Sequence, residues 1–409
     1  MNRFFHKWLA VSFFNLLLVA GLGVLMRYKI AFYLPFVQQK FLLHGHSHFA
    51  FAGWITQTLM LFLVQYLANV HNESILKKYS WLLYANLVTA YGMLVAFIFQ
   101  GYAFFSIGFS TLSIIVSYIF AFYFWKDLNK LNENKISHLW FKAGLLFSVL
   151  SSFGAYGLAY MMANKISQQD WYLASVYFFL HFQYNGWFFF AGMGLLVYRL
   201  EKTGGFDKAL RNAFWLFCFA CIPAYFLSAL WLPFPAVVYC LIIAAVIAQL
   251  IGWVLMVKTF IQSKEYLKKR FDKHGRILLL LSAIAFSIKL LLQSGSVHPA
   301  LSQLSYSFRP IIIGYLHLVL LAVTSIFIIG YSISFQMIPA NKKLHTGIFI
   351  FVAGIIINEI LLMVQGVAAL DYISFKHMAI SLFTAALILF AGAATIFWSC
   401  FEKKSGMDP

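Results

Sequence analysis

The sequence predicts an all-α protein, a polytopic membrane bundle of about twelve transmembrane helices with both termini inside. Three observations support this prediction: the composition, the length of the apolar segments, and the placement of basic residues in alternate loops. Of the 409 residues, 62% are hydrophobic and only 10% are charged, and the mean hydropathy is +0.82. Soluble domains carry about 25% charged residues. We therefore expect one transmembrane domain, 1–409, in contact with a lipid bilayer.

Twelve apolar segments are long enough to be read as spans, since a helix needs about 20 residues to cross the hydrocarbon core. They are 8–26, 42–69, 80–103, 106–126, 139–163, 171–199, 211–233, 234–260, 276–295, 310–335, 344–367 and 376–401. The first resembles a signal peptide, but no small-residue cleavage site follows it, so we interpret it as a span.

Three connections between the spans have a readable character. The segment 232–235 (LPFP) predicts a tight hairpin, because proline cannot continue the preceding helix. The charged loop 261–275 predicts a short helix and a turn. The first connection, 27–41, is apolar and aromatic, which suits the membrane interface.

The net charge of +18 does not indicate a nucleic-acid partner, because the basic residues follow the positive-inside rule. They crowd alternate loops, which would therefore lie inside, as at Lys126, Lys130, Lys135, Arg199, Lys202, Lys208, Arg211, Lys258, Lys264, Lys268, Lys269, Arg270, Lys273 and Arg276. We expect a multi-pass protein of a cell inner membrane.

The histidines within the spans fall on even-numbered segments, near the start of each, and so are expected to share one outer layer of the membrane. They are His44, His46, His48, His181, His317 and His377. Ionisable groups at such a depth are costly and indicate function. Imidazoles on several helices at one depth could hold a metal ion or a haem iron.

The cluster His44, His46 and His48 allows two geometries. On a helix, His44 and His48 share a face and His46 points away. In an extended segment all three would project to one side, which suits a copper or zinc ion together with such ligands as His317.

The other intramembrane polar residues allow functional or structural interpretations. His181 and His317 are either ligands or satisfied polar contacts, and His377 is more typical of the interface. Glu359 indicates either a proton path or a hydrogen bond to Asn358. Lys289 is near enough to the outer end of its span to snorkel.

These residues resemble motifs of the haem–copper oxidase superfamily, specifically subunit I of cytochrome c and quinol oxidases and the large subunit of nitric oxide reductases. That family has twelve core spans with both termini inside. Its second span carries a histidine like the one in 43–45 (LHG), its tenth carries His-x-His where this chain has 315–317 (YLH), and the sixth span of the reductases resembles 181–186 (HFQYNG), with Asn185 replacing a glutamate.

The resemblance implies that His44 and His317 bind one low-spin haem b. The dinuclear centre is incomplete, because Tyr315 replaces the high-spin haem ligand and the seventh span has no histidine. Tyrosinate can bind haem iron, so a second haem or a copper near His181, Tyr184 and Tyr315 stays open, as does oxidoreductase activity.

The resemblance implies respiratory electron transfer, with a quinol or a periplasmic cytochrome as donor and with partner subunits. Two other classes remain open. A haem-free transporter or channel would use Lys289 and Glu359, and a copper- or haem-handling assembly factor would use the cluster His44, His46 and His48.

Overall fold

A computed structural model describes residues 3–131, 135–298, 301, 308–338, 341–370, 373 and 375–402. These residues form helices and connecting turns, with no strand among them. Ten helices in this part of the chain are long and apolar enough to cross a membrane, or eleven if one bent pair is a single span. The protein is thus a multi-pass α-helical membrane protein.

Each predicted segment corresponds to a helical stretch. We number these α1 (Arg3–Ala31), α2 (Gln39–Val70), α3 (Ser74–Gln100), α4 (Phe104–Asn129), α5 (Ile136–Ala163), α6 (169–200), α7 (Asp207–Cys221 and Pro223–Ala229), α8 (Ala236–Gln262), α9 (Lys273–Gly295), α10 (Arg309–Ser334), α11 (Lys342–Leu370) and α12 (Met378–Ser399). The bent pair is α7, and α6 is the helix outside the ten or eleven. Twelve crossings therefore stay a prediction.

Two of the predicted connections match the structure, and the interfacial position of the first connection stays a prediction. A short helix, Lys264–Arg270, lies in the charged loop, and the segment 230–235 is a turn. In the first connection Tyr33 and Phe36 are 86% and 91% exposed, as expected of aromatic side chains at a membrane interface.

Three helices contain a π-helical segment, where the backbone hydrogen bonds skip one residue more than in an α-helix. These segments are Ala50–Thr56 in α2, Phe182–Phe188 in α6 and Leu318–Ser325 in α10. A fourth irregularity is the 45° bend of α7. It falls at Pro223, which lacks the N–H that an α-helix needs.

The described chain groups into two compact units. Unit 1 comprises Met1–Phe120, Asp272–Ser282 and Arg309–Pro409, and unit 2 comprises Ala121–Phe271 and Ala283–Phe308. In unit 1, α1 packs on α12, α11 packs on α12, and α2 packs on α3. In unit 2, α5 packs on α6 and α7 packs on α8. The expectation of one domain over 1–409 stays a prediction.

Candidate functional site

Each π-helical segment begins one or two residues after an intramembrane histidine. His181 and His317 are the last α-helical residues before their segments, and His48 precedes the third by two residues. π-helical turns occur frequently at functional sites because they re-aim side chains and free backbone carbonyls. This structural feature singles out the same histidines as their chemistry does.

A sequence repeat accompanies two of these segments. Residues 48–54 read HFAFAGW and residues 181–187 read HFQYNGW, so both follow the pattern His-Phe-x-aromatic-x-Gly-Trp. Trp54 and Trp187 are each 1% exposed. Inspection of the sequence for long repeats misses this pattern because it covers only seven residues.

Two carbonyls of the α2 segment accept hydrogen bonds from side chains of neighbouring helices in unit 1. Asn15 donates from Nδ2 to Gly53 O at 2.6 Å. Asn86 donates from Nδ2 to Ala52 O at 3.1 Å and to Gln57 Oε1 at 2.7 Å. Because a buried carbonyl without a partner is costly, these asparagines stabilise the π-helical geometry.

His44 and His48 face the end of α3. His48 stacks on Phe97 with ring centroids 4.3 Å apart, and its Nε2 lies 3.2 Å from Tyr102 Oη. His44 meets the edge of Tyr102 at 4.6 Å between centroids, and its Nε2 is buried without a hydrogen-bond partner. The helical geometry of the cluster is therefore confirmed.

His46 points the other way, towards α1 and α10. It hydrogen-bonds the carbonyl of Val19 and interacts electrostatically with His317, and its Nδ1 is buried without a partner. Arg27 lies close enough to act on both imidazoles and on Arg309. His46, His317 and Arg27 are thus within electrostatic range of one another, and Arg27 is also within that range of Arg309.

The ring of His317 is oriented by its own helix. Its Nδ1 lies 2.8 Å from Ile313 O, and because a carbonyl only accepts, Nδ1 carries the proton and Nε2 keeps the lone pair. A histidine that donates through one nitrogen to a carbonyl is typical of iron and metal ligands. Tyr315 is half-buried and, two residues earlier on the same α-helix, lies about 200° away around it.

The extended alternative for the histidine cluster is wrong, because 39–49 is α-helical. Within the described ranges no three His, Cys, Asp or Glu side chains converge as metal ligands. Joint metal binding by His44, His46, His48 and His317 therefore has no support in this geometry. His377 and His298 are exposed at a helix start and in a loop.

In unit 2, His181 has protein partners at both ring nitrogens. Its Nε2 donates to Cys221 O at 2.8 Å, and Asn185 Nδ2 donates to its Nδ1 at 3.0 Å. The break of α7 after Cys221 exposes this carbonyl, because an α-helix would use it internally. Binding of iron or copper by His181 would require loss of one of these hydrogen bonds.

Lys289 lies close to this group and does not snorkel. It is 2% exposed, and its Nζ donates to Gln293 Oε1 at 2.5 Å. The snorkelling interpretation is therefore wrong. Glu359, in unit 1, is half-buried and accepts a hydrogen bond of 3.3 Å from Asn358, as one of its two interpretations expected.

No protein-family model and no curated protein matches this chain.

Proposed function

We propose that the chain is a membrane haem protein of respiratory electron transfer, resembling subunit I of the haem–copper oxidases and located in a cell inner membrane. The observation that carries the proposal is that two imidazoles of unit 1, on α2 and α10, each keep a ring nitrogen without a protein partner: Nδ1 of His46 and Nε2 of His317. Both imidazoles lie within electrostatic range of each other and of Arg27.

The residues present fit a low-spin haem b. His317 would supply one axial nitrogen, Nε2, because Nδ1 already donates to Ile313 O. We take His46 as the second ligand, because its ring faces α1, away from His44, its buried Nδ1 has no hydrogen-bond partner, and it lies within electrostatic range of His317. His44, the ligand that the resemblance implies, instead packs against Tyr102 and Phe97.

The guanidinium groups of Arg27 and Arg309 suit the propionates of a haem. They lie close enough to repel each other, and neither forms an ion pair among the described residues. Two carboxylates between them would remove that repulsion, because guanidinium binds carboxylate through paired hydrogen bonds.

A haem held by two imidazoles supplies one-electron transfer and offers no open position for a substrate. The chain contributes a fixed imidazole orientation at His317, an apolar surrounding and cationic groups near Arg27. A quinol or a periplasmic cytochrome would be the donor, and partner subunits would receive the electron. Oxygen or nitric oxide reduction by this chain alone is not part of the proposal.

A reduced-minus-oxidised spectrum of the purified chain tests the proposal. We expect sharp α and β bands and one haem per chain. His317→Ala and His46→Ala should each abolish these bands, because a six-coordinate low-spin iron needs both imidazoles. His377→Ala is the matched control, since that histidine is exposed at the start of α12, and it should leave the bands unchanged.

His44→Ala distinguishes the two candidate ligands on α2. Loss of the bands in His44→Ala with retention in His46→Ala would restore the pairing implied by the resemblance and refute the one argued from the structure. A colourless protein after expression with haem supplied would refute the proposed function. Two haems with copper or non-haem iron would instead show a rebuilt dinuclear centre.

One observation favours copper handling as a second candidate. His44 and His48 are one helical turn apart, both lie beside Tyr102, and His44 Nε2 has no partner. Imidazole nitrogens with a phenol oxygen suit copper(II). Copper binding by the haem-free protein that is lost in His44→Ala would support this role, and its retention there would exclude His44.

A further inference from the structure

We propose that unit 2 contains a buried site for one small monovalent inorganic anion, with Lys289 as its countercharge. The site lies among α6, α7, α8 and the part of α9 that belongs to unit 2. It is independent of the haem proposed for unit 1.

Lys289 has no charged partner among the described residues. Its side chain is buried in a membrane helix, where an ammonium group without a counterion is costly. The described ion pairs do not include it. Of the described carboxylates of unit 2, Asp127 pairs with Lys130, Glu201 accepts from Ser137 and Glu265 pairs with Lys268, while Asp170 and Asp207 are exposed.

The side chains around Lys289 offer more hydrogen-bond donors than acceptors. Lys289 uses one of its three N–H groups on Gln293 Oε1, and Gln293 Nε2 donates to Gln249 Oε1 at 2.8 Å. Both glutamine oxygens are thus occupied, while Lys289 keeps two N–H groups and Gln249 keeps its amide NH₂ group. A ligand that satisfies these groups must be an acceptor.

Lys289 and Gln249 line a small cavity. It has room for about one water-sized species, ≈ 10 Å³. Its lining combines polar side chains with phenyl rings and a leucine: Asn185, Cys221, Gln249, Lys289, Phe189, Phe190, Phe217, Phe286 and Leu290. This space suits a single-atom or hydroxide-sized anion better than sulfate, phosphate or a carboxylate.

The neighbouring His181 does not supply the missing charge. Because its Nε2 donates to Cys221 O and its Nδ1 accepts from Asn185, the ring is held neutral by its hydrogen bonds. The ring face of Phe286, 5.4 Å from Lys289 Nζ, favours the ammonium form. A cation, surplus donors and a single-particle cavity together fit an anion better than a water molecule, which brings no charge.

Thermal unfolding of the full chain in detergent tests the site. Chloride is titrated against gluconate at constant ionic strength, since gluconate is too large for the cavity. A ligand that binds only the folded protein raises the unfolding temperature with the logarithm of its concentration. We expect this rise in the wild-type chain, its loss in Lys289→Met, and a weakened rise in Gln249→Leu.

The matched control is Lys142→Met. Lys142 is a half-buried lysine of α5 in the same unit, 5.3 Å from the centre of the Trp125 ring, and its removal should leave the chloride dependence intact. Equal stability in chloride and gluconate would overturn the proposal, because a neutral lysine with a water molecule predicts that result. So would a chloride dependence that survives Lys289→Met.

A second measurement covers the case in which Lys289→Met does not fold. Bromide soaked into crystals of the wild-type chain should give one anomalous peak between Lys289 Nζ and Gln249 Nε2. Absence of that peak at saturating bromide would also overturn the proposal. Neither measurement requires bound haem, so failure of the haem proposal leaves this test intact.

Discussion

The two intramembrane histidines His181 and His317 show how hydrogen bonds decide what an imidazole can do. His317 donates from Nδ1 to a carbonyl of its own helix, which leaves a lone pair on Nε2. His181 donates to Cys221 O and accepts from Asn185. The first ring keeps one nitrogen without a protein partner, whereas both nitrogens of the second are bonded, one of them to α7.

One hydrogen bond links the π-helical segments of α2 and α10. Trp54 Nε1 donates to Ser325 Oγ at 2.9 Å, and both side chains are 1% exposed. Ser325→Ala should lower the free energy of unfolding by about 1–3 kcal/mol, because the buried indole N–H loses its partner. Chemical unfolding followed by tryptophan fluorescence measures the loss.

Trp54→Phe provides the comparison for this contact. It removes the N–H group together with part of the ring, so the double variant should cost less than the sum of the single ones. Additive costs would show that the hydrogen bond is unimportant. If the segments position His46 and His317, Ser325→Ala should also broaden the haem bands.

The sequence left two geometries open for the histidine cluster and did not fix the pairing of its members. The structure confirms the helical geometry, with His44 and His48 on one face and His46 opposite. Which of them meets His317 depends on how α1 packs, since His46 is held by Val19 O and lies 3.8 Å from the position of a Cβ on Gly23. Local spacing carries no such information.

At the level of elements, the π-helical segments show that polar side chains in a membrane satisfy backbone groups as well as ligands. Thr324 Oγ1 donates to Val319 O and Ser325 Oγ to Leu320 O, both five residues earlier and both at 2.8 Å. These bonds stabilise carbonyls that an α-helix would pair regularly. A serine or threonine in a span can therefore mark a backbone irregularity.

Close packing of α11 on α12 depends on Gly392. A Cβ there would lie 2.5 Å from Phe351 N and 2.6 Å from its Cα, which are backbone atoms that cannot rotate away. We expect Gly392→Ala to separate the helices and to lower the free energy of unfolding by on the order of 1–3 kcal/mol. The unfolding temperature should fall by several degrees.

Gly108 in α4 is the matched control, because a Cβ there meets nothing within 4 Å. Gly108→Ala should be neutral or stabilising by up to about 1 kcal/mol, since alanine loses less backbone entropy in a helix. Equal destabilisation by the two substitutions would show that the helix contact is looser than the structure indicates.

Helix positions were predictable because the hydrocarbon thickness fixes the length of an apolar run. The break in α7 was missed, although Pro223 was a readable signal. The π-helical segments were not predictable, because the side chains that stabilise them, such as Asn15 and Asn86, lie far away in the sequence. The network of Lys289 was missed for the same reason, since Gln249 is on another helix.

At the scale of the whole molecule, each unit contains its own polar cluster. Unit 1 holds His46, His317 and the two arginines, and unit 2 holds His181, Lys289 and the glutamine pair. Polar groups in a membrane persist where they serve function or satisfy one another. The two clusters can therefore be tested separately, by haem spectra in one and by anion dependence in the other.

The distribution of basic residues predicts the orientation of the chain in the membrane. Basic residues concentrate in loops such as 258–276, whereas the connection 164–168 carries only Lys165. The positive-inside rule therefore places 258–276 inside and 164–168 outside. In a chain with Cys218, Cys240 and Cys400 changed to alanine, a membrane-impermeant maleimide added to intact cells should label Ile166→Cys but not Tyr266→Cys. Permeabilised cells should label both, which shows that each cysteine is reactive. Labelling of residue 266 alone in intact cells would reverse the topology and place the histidines of α2 and α10 in the inner half of the membrane, away from a periplasmic donor.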